Sequence, residues 1–194
     1  ETALIGELSA LATACLWAGS ALAFAAATAR LGSVQVNVAR LLVASLFLAA
    51  TIAVFGFNIH LSFSQIGKLA ISGMLGLTFG DSFLFKSYEY NGPRLSMLIM
   101  SIAPAISAML AYMFIGEVVS WMGMLGMLVT LGGIAMVVLE QRDASSSKYP
   151  FSVRGIFYGF LGAVGQASGL VLAKMALAEG TINGFVATLV RILA

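Results

Sequence analysis

The chain has 194 residues, 60% hydrophobic and only 9% charged, with ten Lys/Arg against eight Asp/Glu. A soluble globular domain averages roughly 45–50% apolar and about 25% charged residues, so an ordinary soluble domain is excluded. The formal charge of +2 excludes a nucleic-acid binder that works by neutralising phosphates, and one cysteine (Cys15) with one histidine (His60) excludes a disulfide scaffold or a metal site built from those ligands. What remains is an all-α polytopic membrane protein, and no cofactor is implied.

A helix crosses the hydrocarbon core with about 20 predominantly apolar residues. That ruler predicts six spans and the start of a seventh, at 4–29, 34–57, 66–88, 94–115, 118–139, 154–178 and from 181 onward. The first is no cleaved signal peptide: it is too long for an h-region, lacks a basic n-region and is followed at once by another span. It carries Trp17 near its middle, away from the headgroup level where tryptophan is enriched, with Ser20 three residues on and on the same face. The turn Arg30-Leu31-Gly32-Ser33 leads into the second span, where Arg40 lies within snorkelling reach of the interface.

The third span holds Asp81 close to its centre, where a carboxylate costs about 2.5–3.5 kcal/mol on insertion scales. Thr78 and Phe85 lie three and four residues away, which predicts a polar and aromatic stripe around the acid. Either Asp81 meets a substrate ammonium or carries a coupling proton, or it is a structural acid held by neighbouring hydroxyls. Lys86 points elsewhere on the helix and is expected to reach Glu89. After the turn Asn91-Gly92-Pro93, Pro104 interrupts the fourth span; it removes one backbone bond and bends the helix, with Ser101 and Ser107 placed to satisfy freed groups. Such a bend either lines a cavity or serves packing. Glu117, in the corner Gly116-Glu117, is expected to complement the dipole of the fifth helix.

The polar run from Gln141 to Pro150, with its serines, reads as a linker. Across it a repeat appears: the stretch that starts at Gly6 can be laid on the one that starts at Gly155, with two extra residues in the second turn. Trp17 then falls on Gln166, Ala18 on Ala167 and Arg40 on Arg191. Five spans separate the copies, so the second enters the membrane from the opposite side, an arrangement common among secondary transporters with a midplane site. The expected organisation is a five-helix repeat at 1–140, a linker at 141–153 and the start of a second, inverted repeat at 154–194. Completing five plus five would take about three and a half further helices. Arg40 and Arg191, matched in the two copies, read as structural anchors or gates.

Several short motifs carry a resemblance. Gly6-Glu7-Leu8-Ser9-Ala10 through Leu16-Trp17-Ala18-Gly19-Ser20, Arg40-Leu41-Leu42, Gly80-Asp81-Ser82-Phe83-Leu84-Phe85, Ile102-Ala103-Pro104-Ala105, Gly116-Glu117 and Gly132-Gly133-Ile134 follow one another in order. Together they resemble the EamA-type branch of the drug/metabolite transporter superfamily. The resemblance implies a ten-helix inverted repeat that moves small metabolites, mostly as bacterial inner-membrane exporters, with amino acids frequent among the substrates. It also implies cytoplasmic termini, whereas the Lys/Arg count places the amino terminus outside.

No phosphate-binding G-x-x-x-x-G-K-[ST] loop occurs, so coupling is expected from a proton or exchange gradient rather than from ATP. An intramembrane serine hydrolase is disfavoured, because His60 lies in a loop. The expectation is therefore no enzyme but an exporter of small amphipathic metabolites, with neutral or aromatic amino acids foremost. Its partners are the lipid bilayer, a small-molecule substrate and protons, not nucleic acid. The expected binding residues are Trp17, Ser20, Thr78, Asp81, Phe85, Ser101, Pro104 and Gln166, with Asp81 also the proton-coupling candidate. The alternatives are a non-transporting scaffold and an exchanger of phosphorylated sugars. The exchanger would require two or more cations lining the cavity, and the sequence shows none at midplane depth.

Overall fold

The structure, a computed structural model, describes residues 2–143 and 151–194. Much of the linker expected at 141–153 lies outside them. The helices are α1 (Thr2–Leu31), α2 (Ser33–Phe55), α3 (Phe63–Gly73), α4 (Asp81–Met100), α5 (Ala103–Ile115), α6 (Trp121–Asp143), α7 (Val153–Ala178) and α8 (Gly184–Leu193). A π-helical stretch, Met74–Gly80, joins α3 to α4 without a break.

Local chemistry sets the ends. Gly32, Gly56 and Gly116 adopt positive φ where α1, α2 and α5 stop, a conformation that only glycine takes readily. Ser62 and Gln65 form a reciprocal capping box that starts α3 at Phe63, slightly ahead of the predicted span. Ser120 caps α6, its Oγ accepting from the Gly123 N–H, so that helix begins at Trp121 and the corner after Gly116 is longer than two residues.

The run from Phe63 to Met100 reverses at Gly92, whose φ of 71° breaks the helix just before Pro93. Ser87 and Ser96 are nine residues apart yet their hydroxyls lie 2.7 Å from each other, and the Tyr88 hydroxyl reaches Met97 Sδ at 3.1 Å. Along one straight helix nine residues would span about 13 Å. The element is therefore a hairpin, with an inner arm at 63–91 and a return arm at 93–115. At 1.5 Å per residue the arms extend about 43 and 34 Å, each enough for the roughly 30 Å hydrocarbon core. The return arm bends by 44° at Ser101–Ile102, beside Pro104. Among the described residues, four further helices are long and apolar enough to cross a membrane: Gly6–Leu31, Ser33–Phe55, Trp121–Glu140 and Val153–Ala178. The chain is a polytopic all-helical membrane protein.

The inner arm and α7 form the centre, and they run antiparallel. Lys68, near the start of the arm, pairs with Glu179 at the end of α7, while Asn91 at the other end accepts from the Ser152 N–H at 3.0 Å. The Lys68 hydrogen bond holds the Glu179 carboxyl below its ordinary value, so this exposed clamp is lost only as pH falls through that lowered value. Between these ends the backbones nearly touch. The Ser72 hydroxyl donates to the Gly169 carbonyl at 2.5 Å and the Ser87 hydroxyl to the Gly155 carbonyl at 2.8 Å. A Cβ on Gly165 would stand 2.7 Å from the Leu75 carbonyl oxygen, and one on Gly169 2.8 Å from that of Ser72. Small residues permit this approach, which substitutes for the hydrophobic drive that lipid does not supply. By contrast α2 and α6 expose large apolar side chains such as Phe47, Val54, Val129 and Met136, as lipid-facing helices should.

Gly165→Ala should therefore destabilise the fold by about 1–3 kcal/mol, because the intruding methyl meets backbone that cannot rotate away. Gly126→Ala, with open space around the new methyl, should leave stability unchanged. Thermal unfolding in detergent distinguishes them; equal behaviour of the two variants would contradict the packing described.

Candidate functional site

Asp81 is the first residue of regular α-helix after the π-helical stretch, and it is 3% exposed. An isolated carboxylate at that depth would be expensive, and two neighbours answer it. Arg40 Nη2, from α2, forms an ion pair with Oδ2. Gln166 Nε2, from α7, approaches Oδ1 at 3.5 Å.

Arg40 is held in turn. The same Nη2 donates to Asn37 Oδ1 at 3.0 Å, and the guanidinium lies over the rings of Phe24 and Phe85, 5.8 and 5.4 Å from their centroids. Asn37 then donates to the Leu77 carbonyl at 2.9 Å and to Ser82 Oγ at 3.0 Å. The π-helical stretch makes that possible, since its wider winding leaves backbone carbonyls free for a neighbouring helix. Arg40 therefore turns inward instead of snorkelling outward.

Arg191 arrives from α8. A Cβ on Gly73 would overlap the Arg191 backbone carbonyl, so the glycine lets α8 lie directly on the inner arm. The position a Cβ on Gly76 would take is 3.0 Å from Gln166 Oε1 and 3.3 Å from Arg191 Nη2, so these groups meet over that glycine. Arg40 and Arg191 each lie seven residues into their helices, which start at Ser33 and Gly184. Two guanidiniums thus lie near one buried carboxylate, although neither lines the adjoining cavity. Arg40 Nε, Arg191 Nε and Gln166 Oε1 are buried without a hydrogen-bond partner among the described residues.

Beside this cluster lies a cavity of about 1130 Å³ between α1, α7 and the return arm. It extends from Arg94 at one end of that arm to Glu117 and Lys174 at the other, and its walls are mainly alanine, valine, leucine and methionine. Trp17, 46% exposed, contributes its indole, and Gln166 lines the same space, so this one amide connects the cavity to Asp81. Ser101, Pro104 and Ser107 line the bend.

Other sequence candidates fall elsewhere. Ser20 Oγ donates to the Trp17 carbonyl of its own helix at 3.0 Å. Thr78 is exposed and off the Asp81 face, because the π winding breaks the three-residue register. Phe85 is buried against Phe24 and Tyr88, in contact with Arg40 and away from the cavity. Ser101 Oγ does bond a carbonyl near the bend, that of Leu98 at 2.5 Å, whereas Ser107 Oγ is buried with no partner among the described residues. Glu117 does not head α6, which starts four residues later; it pairs with Lys174 at 2.6 Å across the cavity mouth. Lys86 reaches Glu89 at 2.5 Å as expected, and Glu89 also accepts the Ser33 N–H at 2.9 Å at the head of α2. Sequence reasoning passed over Asn37, whose one signal was its place three residues before Arg40 in an apolar helix.

Arg40→Leu should destabilise the protein by about 3–5 kcal/mol, since it strands a buried carboxylate. Adding Asp81→Asn should recover most of that loss, because the charge left without a partner is gone. Unfolding in detergent checks both; a double variant no more stable than the single one would contradict the pairing.

Residues 4–139, well over half of the chain, match the model of the EamA-like transporter family. Comparison with curated proteins found no match, and comparison with solved structures found none. Helices apolar enough to cross a bilayer several times and a cavity between them agree with that match. The chain belongs to the EamA-like transporter family, within the drug/metabolite transporter superfamily, and is a multi-pass membrane transporter of small molecules.

Proposed function

We propose that this transporter exports small amphipathic metabolites, neutral and aromatic amino acids foremost, across a bacterial inner membrane by alternating access. The observation that carries the reading is the cavity itself. Its walls are apolar, Trp17 offers a ring face, and Gln166 joins it to the buried Arg40–Asp81 pair. Ligand sites commonly hold about 300–1,000 Å³ with a few convergent polar groups, and this one, at about 1130 Å³, lies just above that range. Trp17 and Gln166 hold matching positions in the repeat we propose, with one five-helix unit at 1–140 and the start of an inverted unit at 154–194. The bend beside Pro104 is the hinge candidate on the cavity wall. Asp81 is the coupling candidate: a proton taken up there would release Arg40.

One observation favours a second reading. Two guanidiniums near one carboxylate leave the cluster beside the cavity with a surplus positive charge, of the sign an exchanger of phosphorylated sugars would need.

Uptake of labelled phenylalanine, threonine and a sugar phosphate into proteoliposomes, with and without a proton gradient, tests both. The expected result is amino-acid uptake that the gradient stimulates and that Asp81→Asn uncouples. Trp17→Ala should raise KM for phenylalanine about two- to tenfold, the range of one aromatic contact worth about 0.5–1.5 kcal/mol. Uptake of the sugar phosphate alone would replace the amino-acid reading with the exchanger. Well-folded protein that moves none of the three would overturn both in favour of a scaffold.

A further inference from the structure

We propose that the corner between α5 and α6, residues 116–120, is a lid over one mouth of the cavity, and that the ion pair between Glu117 and Lys174 is its latch. The inference rests on the reading of the cavity as the substrate path, and it assigns the step that controls passage at that end. It starts from the two ends of the cavity. At one end Pro93 and Arg94 line the wall, and Arg94 is exposed and enters no ion pair among the described residues. At the other, Glu117, Val118 and Val119 of the corner line it, with Leu170, Val171 and Lys174 of α7 on the other side. Leu170 and Val171 precede Lys174 by four and three residues, so all three share one face of α7. Lys174 Nζ stands 2.6 Å from one carboxylate oxygen of Glu117 and 2.7 Å from the other.

The backbone of the corner is tied to its own two helices. Gly116, with a φ of 74°, ends α5; its N–H donates to the Tyr112 carbonyl at 3.2 Å, and the Glu117 N–H to that of Ala111 at 3.3 Å. At the far end Ser120 Oγ accepts from the Gly123 N–H of α6 at 3.2 Å. Among the described residues, the Glu117 side chain makes the one polar contact between the corner and α7. Nor does α6 pin the corner down, since Met122, Leu128 and Val129 stand exposed and lipid covers much of that helix. A swing of the corner keeps the bonds to α5 and α6, and only the ion pair has to break.

The strength of the pair suits a latch. Both side chains are about half exposed, and exposed ion pairs bias an equilibrium by up to about fivefold and weaken as salt screens them. A bias of that size favours the shut mouth without locking it. The second ion pair at this end of α7, Lys68–Glu179, differs in its place. Neither residue lines the cavity, and the pair joins α7 to the inner arm, against which α7 is already packed. It is therefore the control.

The test reads access past the lid with a single cysteine, Leu170→Cys in a Cys15→Ser background. Leu170 lines the cavity about one turn inward from Lys174. Labelling of the purified full chain in lipid nanodiscs by a neutral, hydrophilic maleimide is timed without substrate. Glu117→Gln and Lys174→Gln should each speed labelling about two- to fivefold, and Glu117→Lys combined with Lys174→Glu should return it to the starting rate. Glu179→Gln should leave the rate unchanged. Raising salt from about 0.01 to about 1 M should speed labelling while the pair is intact and not in Glu117→Gln, because the Debye length falls from about 30 to about 3 Å. No rise in either latch variant, an equal rise in Glu179→Gln, or a charge swap that stays fast would overturn the lid. Phenylalanine uptake keeps the two readings apart. Unchanged labelling in latch variants of a protein that takes up phenylalanine overturns the lid and spares the path. Faster labelling in a protein that moves none of the three solutes supports the lid and overturns the path.

Discussion

Where the inner arm meets α7, no side chain separates the two backbones, and the remainder of the site follows from that approach. Gly162, Gly165 and Gly169 lie against the carbonyls and α-carbons of Ser72, Leu75, Gly76 and Gly80 at distances that admit no methyl group. Lipid provides no hydrophobic drive for helix association, so close van der Waals contact and interhelical hydrogen bonds take its place. Because α7 lies so near, Gln166 reaches Asp81 from the neighbouring helix. Because Gly73 is equally bare, α8 settles on the same arm and brings Arg191 to the other side of that amide. A separation larger by one side chain would leave a carboxylate and two guanidiniums apart in an apolar interior.

Charge in a low-dielectric interior then decides how the site is built. Asp81 is stabilised by an arginine that is itself fixed from three directions, by Asn37 and by the rings of Phe24 and Phe85. Asn37 relies on carbonyls that the π-helical stretch leaves free, so the irregularity of the inner arm is part of how the ion pair is held. The cluster adjoins the cavity wall through Gln166, and its Arg40 Nε, Arg191 Nε and Gln166 Oε1 stay buried without a hydrogen-bond partner among the described residues.

Much of this could be read from the residues. The apolar spans, their turns and the bend at Pro104 follow from local rules: glycine with positive φ, proline without an amide proton, and the length needed to cross a bilayer. Asp81 stands out as a lone acid in an apolar helix, and the repeat alignment draws attention to Gln166 and Arg191. The remainder depended on what packs against what. Arg40 has the same sequence signature whether it snorkels outward or pairs inward, and only the placement of α2 against α4 decides. The π-helical stretch moved Thr78 off the Asp81 face, and α-helical periodicity cannot show that. Glu117 and Lys174 are 57 residues apart, so their pairing was invisible until the return arm and α7 were brought together.

The central claim is that the space between α1, α7 and the return arm is the path of the substrate. Thiol accessibility tests it directly, with Cys15→Ser as the background and a single cysteine introduced by Ser101→Cys, on the exposed part of the cavity wall, or by Val129→Cys, on the lipid-facing side of α6. A hydrophilic thiol reagent should label the first rapidly and the second hardly at all, and transported substrate should slow the first reaction. Labelling at Ser101→Cys that is absent, or indifferent to saturating substrate, would contradict the account.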